Sequence, residues 1–189
     1  MLKKNIKDLK STLEKIDNKD FQNILDNCKA LVLKSIRNKK KLFFCGNGGS
    51  AAEAQHMAAE YAGNLDCKNN RQPLPAIALT TDTSFITAWS NDFSFDEIFS
   101  RQLEALGNEK DLLIVYSTSG NSKNLIKACL KAIELKITIL GFLGNDGGKI
   151  KKYCNESFIV PSDSTPRIQE CHTLLGHTLC REVEKSLGF

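Results

Sequence analysis

A chain of 189 residues, 41% hydrophobic and 25% charged, has the composition of one globular domain with a full core, which excludes the disordered and fibrous classes. Its net charge of +4 comes from dispersed lysines, clustered only at Lys3-Lys4 and Lys39-Lys40-Lys41 and without interleaved aromatics, so no nucleic-acid groove is indicated. Seven cysteines, odd in number and without CxxC spacing, argue against a disulfide framework. No apolar run approaches the ~20 residues of a membrane span or forms the apolar centre of a leader, so the expectation is a soluble, cytoplasmic protein that binds neither nucleic acid nor membrane.

Residues 5–16 place Ile6, Leu9, Leu13 and Ile16 at helical spacing, and residues 21–36 do the same with Phe21, Ile24, Leu25, Cys28, Leu31, Val32 and Ile36. Two amphipathic helices therefore precede the first strand, as an N-terminal segment over 1–38. A sheet covered by its own crossover helices does not need both, which suggests that one packs against another subunit. The apolar run Leu42–Cys45 is then a strand, broken at Gly46-Asn47-Gly48-Gly49-Ser50 and followed by Ala-rich helical sequence to Gly63. A polar loop through Asn69-Asn70 leads to a second strand over 75–80, and helices are predicted over 83–91 and 95–106. Asp111–Tyr116 is a continuous apolar run of the kind buried on both faces. It enters Ser117-Thr118-Ser119-Gly120-Asn121-Ser122, and a helix follows to about Leu135. A fourth strand over 137–143, a turn at Asn145–Gly148 into a short helix, a fifth strand at Phe158–Val160 and a last helix over 167–187 complete the chain.

Strands alternating with helices predict an α/β fold, a five-stranded parallel sheet with helices on both faces, over 39–189. With no internal repeat and no linker, 1–189 is read as a single domain. Ligands of such folds sit beyond the carboxyl ends of the strands, where both polar loops, 46–50 and 117–122, leave the sheet.

The turn Gly46-Asn47-Gly48-Gly49-Ser50-Ala51 matches G-x-G-x-x-A between a strand and a helix, the dinucleotide fingerprint. That site also wants an acid about 20 residues on, and Asp82 lies much further away. No Gly-Lys-Ser/Thr follows, so this is not a P-loop. The second loop sets four hydroxyls around a glycine at another helix start. Hydroxyls and free helical N–H groups suit a phosphate monoester, whereas capping alone needs one serine.

Only three histidines are present, His56, His172 and His177. His56 and Glu60 are four apart on one helix and share a face, so both can reach one metal or one substrate. His172 and His177 are five apart and point about 140° away from each other on a regular helix, so at most one joins any given site.

Taken together, Cys-Gly-Asn-Gly-Gly-Ser, the His56-x-x-x-Glu60 helix, Asn91-Asp92-Phe93, Phe99-Ser100-Arg101, Ser-Thr-Ser-Gly-Asn-Ser and Arg-Ile-Gln-Glu-x-His-x-x-x-x-His resemble the phosphoheptose isomerases, of the sugar isomerase (SIS) fold, over nearly the whole chain. The resemblance implies a flavodoxin-like three-layer sandwich and a homotetrameric cytoplasmic enzyme. That enzyme converts sedoheptulose 7-phosphate to glycero-manno-heptose 7-phosphate, the first step towards heptose for bacterial lipopolysaccharide or capsule. It implies one zinc ion per site, held by His56, Glu60, Gln169 and His177. Substrate contacts map to Asn47, Gly48, Gly49, Ser50, Glu60, Asn91, Asp92, Ser117, Thr118, Ser119, Ser122 and Gln169.

Ketose-to-aldose exchange through an enediol(ate) needs a base on carbon, an acid near the oxygens and stabilisation of the developing charge. Glu60 is assigned as the base and His177 as its acid/base partner. A carboxylate bound tightly to zinc is a poorer base, so catalysis ranks above ligation for Glu60, and glutamine is an unusual zinc ligand. Gln169 and His177 are about 12 Å apart along a regular helix. Either that helix is irregular, or the pair serves two sites built from different subunits. Many members of the family carry Arg at the position of Asn64 and some carry Asp at that of Pro166, which bears on substrate preference. Two alternatives remain: a SIS-fold phosphosugar-binding regulator without catalysis, such as one that associates with the replication initiator, and a nicotinamide-dependent oxidoreductase resting on G-x-G-x-x-A alone.

Overall fold

In the computed structural model, which describes residues 1–67 and 70–189, helices α1 (Leu2–Ile16) and α2 (Lys19–Arg37) lead into strand β1 (Leu42–Gly46) and helix α3 (Gly49–Ala62). Then follow β2 (Ala76–Ala78), α4 (Thr83–Asp92), α5 (Ile98–Leu106), β3 (Leu112–Ser117) and α6 (Lys123–Glu134). The chain ends with β4 (Thr138–Gly144), β5 (Glu156–Val160) and α7 (Thr165–Ser186), and has 3-10 turns at Phe95–Glu97 and Lys151–Tyr153. Of the expected loop through Asn69-Asn70, Asn69 lies outside the described residues.

All five strands are parallel, in the order β2-β1-β3-β4-β5. The chain steps outward from β1 to β2 and then back past β1 to β3. The gap between the carboxyl ends of β1 and β3 is therefore the switch point at which doubly wound sheets bind ligands. Side chains alternate across the sheet: Leu42 and Phe44 face the layer of α2, α3 and α7, while Phe43 and Cys45 face α5 and α6. That alternation with both faces covered is why β1 and β3 are buried from end to end.

β5 begins at Glu156 rather than Phe158, and the helix expected over 95–106 opens as the 3-10 turn Phe95–Glu97; two further differences have a local reason. β2 is an edge strand of three residues, and Pro75 before it contributes only its carbonyl, to the Leu42 N–H. α7 starts two residues early because Pro166 falls in its first turn, where a missing N–H costs nothing. α1 is the least covered helix of its layer, with Leu2 and Ile6 exposed. Leu13, Ile16, Phe21, Leu25 and Leu174 line a largely apolar groove of about 370 Å³ between α1, α2 and α7. All seven cysteines are free and five are buried, and burial pushes the Cys180 thiol up to about 12.

Candidate active site

The glycine turn is shaped by close approach. A Cβ at Gly46 would stand 2.4 Å from the Ser50 carbonyl oxygen, and Gly48 has φ +56°, so both positions need the missing side chain. The turn brings Asn47 across to the neighbouring loop, where its amide and that of Asn124 donate to each other at 2.9 and 2.8 Å. This reciprocal pair ties the start of α3 to the start of α6.

The loop after β3 is held from within. Ser117 Oγ accepts the Gly120 N–H at 3.0 Å, Ser119 Oγ accepts that of Asn121 at 3.2 Å, and the Gly120 carbonyl accepts the Ile150 N–H at 2.9 Å. Gly120 sits at φ +63° against the Gly147 carbonyl, where no side chain fits. Ser122 starts α6 without a side-chain cap bond. The two loops enclose a polar hollow of about 80 Å³, lined by Asn47, Ser50, Ser117, Thr118, Ser119 and Ser122, at the β1/β3 switch point. Two helix N-termini with hydroxyls between them offer the donors that an anion would need.

Further along α3, His56 and Glu60 meet His177 of α7. The two histidine Nε2 atoms are 2.7 Å apart, and Glu60 Oε1 is 3.8 Å from His56 Nε2. One nitrogen from each ring and one carboxylate oxygen all lie within 4.8 Å of one another. Two imidazoles and a carboxylate so placed form a donor set that could hold a metal ion. His172 points elsewhere, as the five-residue spacing predicts: it is fully buried with Nε2 3.1 Å from the Leu143 carbonyl, and burial lowers its pKa to about 4.

α7 is unbroken between Gln169 and His177. Its amide end therefore lies against Gly49, whose Cβ would stand 2.3 Å from Gln169 Nε2, while His177 lies about 12 Å further along. The irregular-helix alternative therefore fails, and within one chain Gln169 lies at the glycine turn and His177 at the His56–Glu60 cluster. Asn91 and Asp92 close α4 on an exposed surface, where the Asn91 amide donates to the Asp92 carboxylate at 2.8 Å. They line neither the hollow nor the histidine cluster.

Three further residues, Asn124, Glu53 and Arg71, were not identified from the sequence. Asn124 anchors Asn47. Glu53 accepts the Thr173 hydroxyl at 2.7 Å. Buried Arg71 donates to Glu184 and to the Glu60 carbonyl. None carries a local signal, because the side-chain partners Asn47, Thr173 and Glu184 are 77, 120 and 113 residues away.

The parallel sheet carries a polar hollow at its switch point and an ionisable cluster on the adjoining helix, and the family model described as "SIS domain" matches residues 5–144, which defines the class of the chain. The phosphoheptose isomerase of Clostridium acetobutylicum is 52% identical over 157 residues, 83% of this chain and 79% of that protein. That of Helicobacter pylori strain P12 is 49% identical over 177 residues, 94% and 88% of the two chains. Among solved structures, the phosphoheptose isomerase of Neisseria gonorrhoeae superposes with a TM-score of 0.90 at 38% identity, over 97% of each chain. The enzyme from Francisella tularensis gives 0.83 at 36%, over 97% of this chain and 98% of that one. The chain belongs to the phosphoheptose isomerase family.

Proposed function

We propose that this protein is an aldose-ketose isomerase that converts D-sedoheptulose 7-phosphate to D-glycero-D-manno-heptose 7-phosphate. The observation that carries this reading is that one helix, α3, starts beside the anion hollow and carries Glu60 and His56 to His177. A site with a phosphate holder at one end and a carboxylate–imidazole pair at the other suits a phosphorylated chain whose reacting carbons are remote from its phosphate. A regulator that only binds phosphosugars needs the hollow and has no use for the cluster.

The phosphate, nearly doubly charged, takes its hydrogen bonds from Thr118, Ser119 and Ser122 and from the first N–H groups of α3 and α6. Asn47, Gly48, Gly49, Ser50 and Gln169 orient the sugar chain, with Ser117 shaping the loop. Glu60 takes the proton from C1 of the ketose and returns it to C2. His177 moves the hydroxyl proton from O1 to O2, which converts the carbonyl at C2 into one at C1 with atoms and charge conserved. His56, Glu60 and His177 would hold zinc, which when bound supplies a Lewis acid for the enediolate oxygens. Gln169 joins that ligand set only if it comes from a second subunit.

The homo-oligomer, a tetramer by family resemblance, is supported by the apolar groove beside α1 and by the exposed Leu2, Ile6 and Leu174. Asn91 and Asp92 would reach a sugar across such an interface. Free, mostly buried thiols suit the reducing cytoplasm, and among the described residues no helix is long and apolar enough to cross a membrane. The product would feed heptose synthesis for lipopolysaccharide or capsule. The test is direct: purified protein supplied with zinc is incubated with sedoheptulose 7-phosphate and aldose formation is followed. No turnover would remove the reading.

A further inference from the structure

α3 and α7 run side by side in the same direction, and their facing residues meet in layers. Gly49 lies under the Gln169 amide, Glu53 against Thr173, Met57 against Gly176, and His56 and Glu60 against His177. The second layer is chemically unlike a packing contact. Glu53 Oε2 accepts the Thr173 hydroxyl at 2.7 Å, Thr173 Oγ1 also lies 3.2 Å from the Gln169 carbonyl, and Glu53 Oε1 is buried without a hydrogen-bond partner among the described residues. A buried carboxylate oxygen without a protein donor costs stability, and an apolar pair fills such a layer at less cost, as Met57 and Gly176 do one turn on.

We infer that Glu53 is a positioning residue for the isomerisation, whose bond to Thr173 sets the register of α7 against α3. Thr173 stands four residues from Gln169 and four from His177, so one bond places both: the amide over the glycine turn and the imidazole beside His56 and Glu60. Unlike an apolar contact, a hydroxyl-to-carboxylate bond is directional and resists sliding and rotation. A slip of one residue would move His177 by about 1.5 Å along the axis and turn it by about 100°. Misplacement of a reacting group by about 1 Å can cost about a hundredfold in rate.

The inference rests on the isomerase reading for what the register serves, and its test separates the two. Glu53→Met and Thr173→Val keep side-chain size and remove the bond. Each is expected to lower kcat about tenfold or more and to raise KM as well, because the same bond places Gln169, with the thermal midpoint equal to or above that of wild type. The double variant is no slower than either single one, since both remove the same contact. Thr173→Ser, which keeps the hydroxyl, rescues the rate. In metal-free protein, the ring-nitrogen resonances of His56 and His177 shift in Glu53→Met while those of buried His172 stay. Wild-type kcat with unshifted His56 and His177 resonances in Glu53→Met overturns the inference, and so do rate losses that multiply in the double variant. If wild type shows no turnover, the isomerase reading falls and the histidine resonances alone decide the register.

Discussion

His56 and His177 approach through their Nε2 atoms at 2.7 Å, edge to face, which joins α3 to α7 at the point where Glu60 projects. Such a contact needs one ring to donate and the other to accept, so the pair can pass or hold a proton as well as bind a metal. Glu60→Gln and His177→Ala should each lower kcat by about 10²–10⁴-fold, the usual worth of general acid–base catalysis. The cluster is partly exposed, so unfolding midpoints should stay close to wild type. Chelation followed by added zinc should abolish and restore activity in wild type, and the restoration should fail in His56→Ala. Turnover equal to wild type in Glu60→Gln and His177→Ala would strip both residues of these roles.

Two glycines of one turn should respond in opposite ways to the same added methyl. At Gly46 the methyl would meet the Ser50 carbonyl, backbone that cannot yield, and overpacking of this kind costs about 1–3 kcal/mol. At Gly49 it would meet the end of the Gln169 side chain, which can swing away. Gly46→Ala is expected to lower the thermal midpoint by about 3–10 °C. Gly49→Ala should leave the midpoint nearly unchanged and raise KM for the sugar phosphate, because the amide is displaced. A Gly49→Ala enzyme with wild-type KM would take Gln169 out of substrate binding.

Local features of this site were readable in the chain and long-range ones were not. The run Leu42–Cys45 followed by the glycines announces a strand and a turn, because apolar continuity and missing side chains act within a few residues. His56 and Glu60 share a face by helical spacing alone. The pairs Asn47–Asn124, Glu53–Thr173 and Arg71–Glu184 consist of commonplace polar residues 77, 120 and 113 positions apart, and only the packed helices bring them together. The spacing of Gln169 and His177 showed that they are too far apart to share a site easily. Which one faces the glycine turn depends on the direction of α7 against α3.

Arg71 carries an unusual share of the fold around the end of α3. Its guanidinium, buried to 8% exposure, bonds Glu184 and donates to the carbonyls of Tyr61 at 3.1 Å, Gln72 at 3.0 Å and Glu60 at 2.7 Å. It thereby caps the last turn of α3. Arg71→Leu takes the guanidinium from a buried carboxylate that keeps only the Leu65 N–H at 3.3 Å, and removal of one partner of a buried pair costs about 3–5 kcal/mol. Arg71→Leu with Glu184→Leu should recover only part of that loss in urea unfolding, because the Glu60 and Gln72 carbonyls still lack the guanidinium. Arg71→Leu within about 1 kcal/mol of wild type would show that water replaces the guanidinium at this end of the helix.

His172 makes stability depend on pH through burial, away from the reacting cluster. It is packed edge-on against Tyr116 and Phe142, with Nε2–H donated to the Leu143 carbonyl, and its pKa falls from the ordinary 6.5 to about 4 because the low-dielectric core disfavours the charged ring. Between those two values the unfolded chain binds a proton that the folded chain refuses. The folded state therefore keeps its full advantage above pH 6.5, loses it progressively as pH falls towards 4, and loses no more from this group below that. At about 1.4 kcal/mol per pH unit the loss amounts to about 3 kcal/mol. His172→Gln keeps a donor for the Leu143 carbonyl and cannot titrate in this range. At equal protein concentration, the difference in unfolding free energy between wild type and His172→Gln should therefore change by about that amount between pH 7 and pH 4. A difference that stays constant over the range would mean that the folded protein admits the proton.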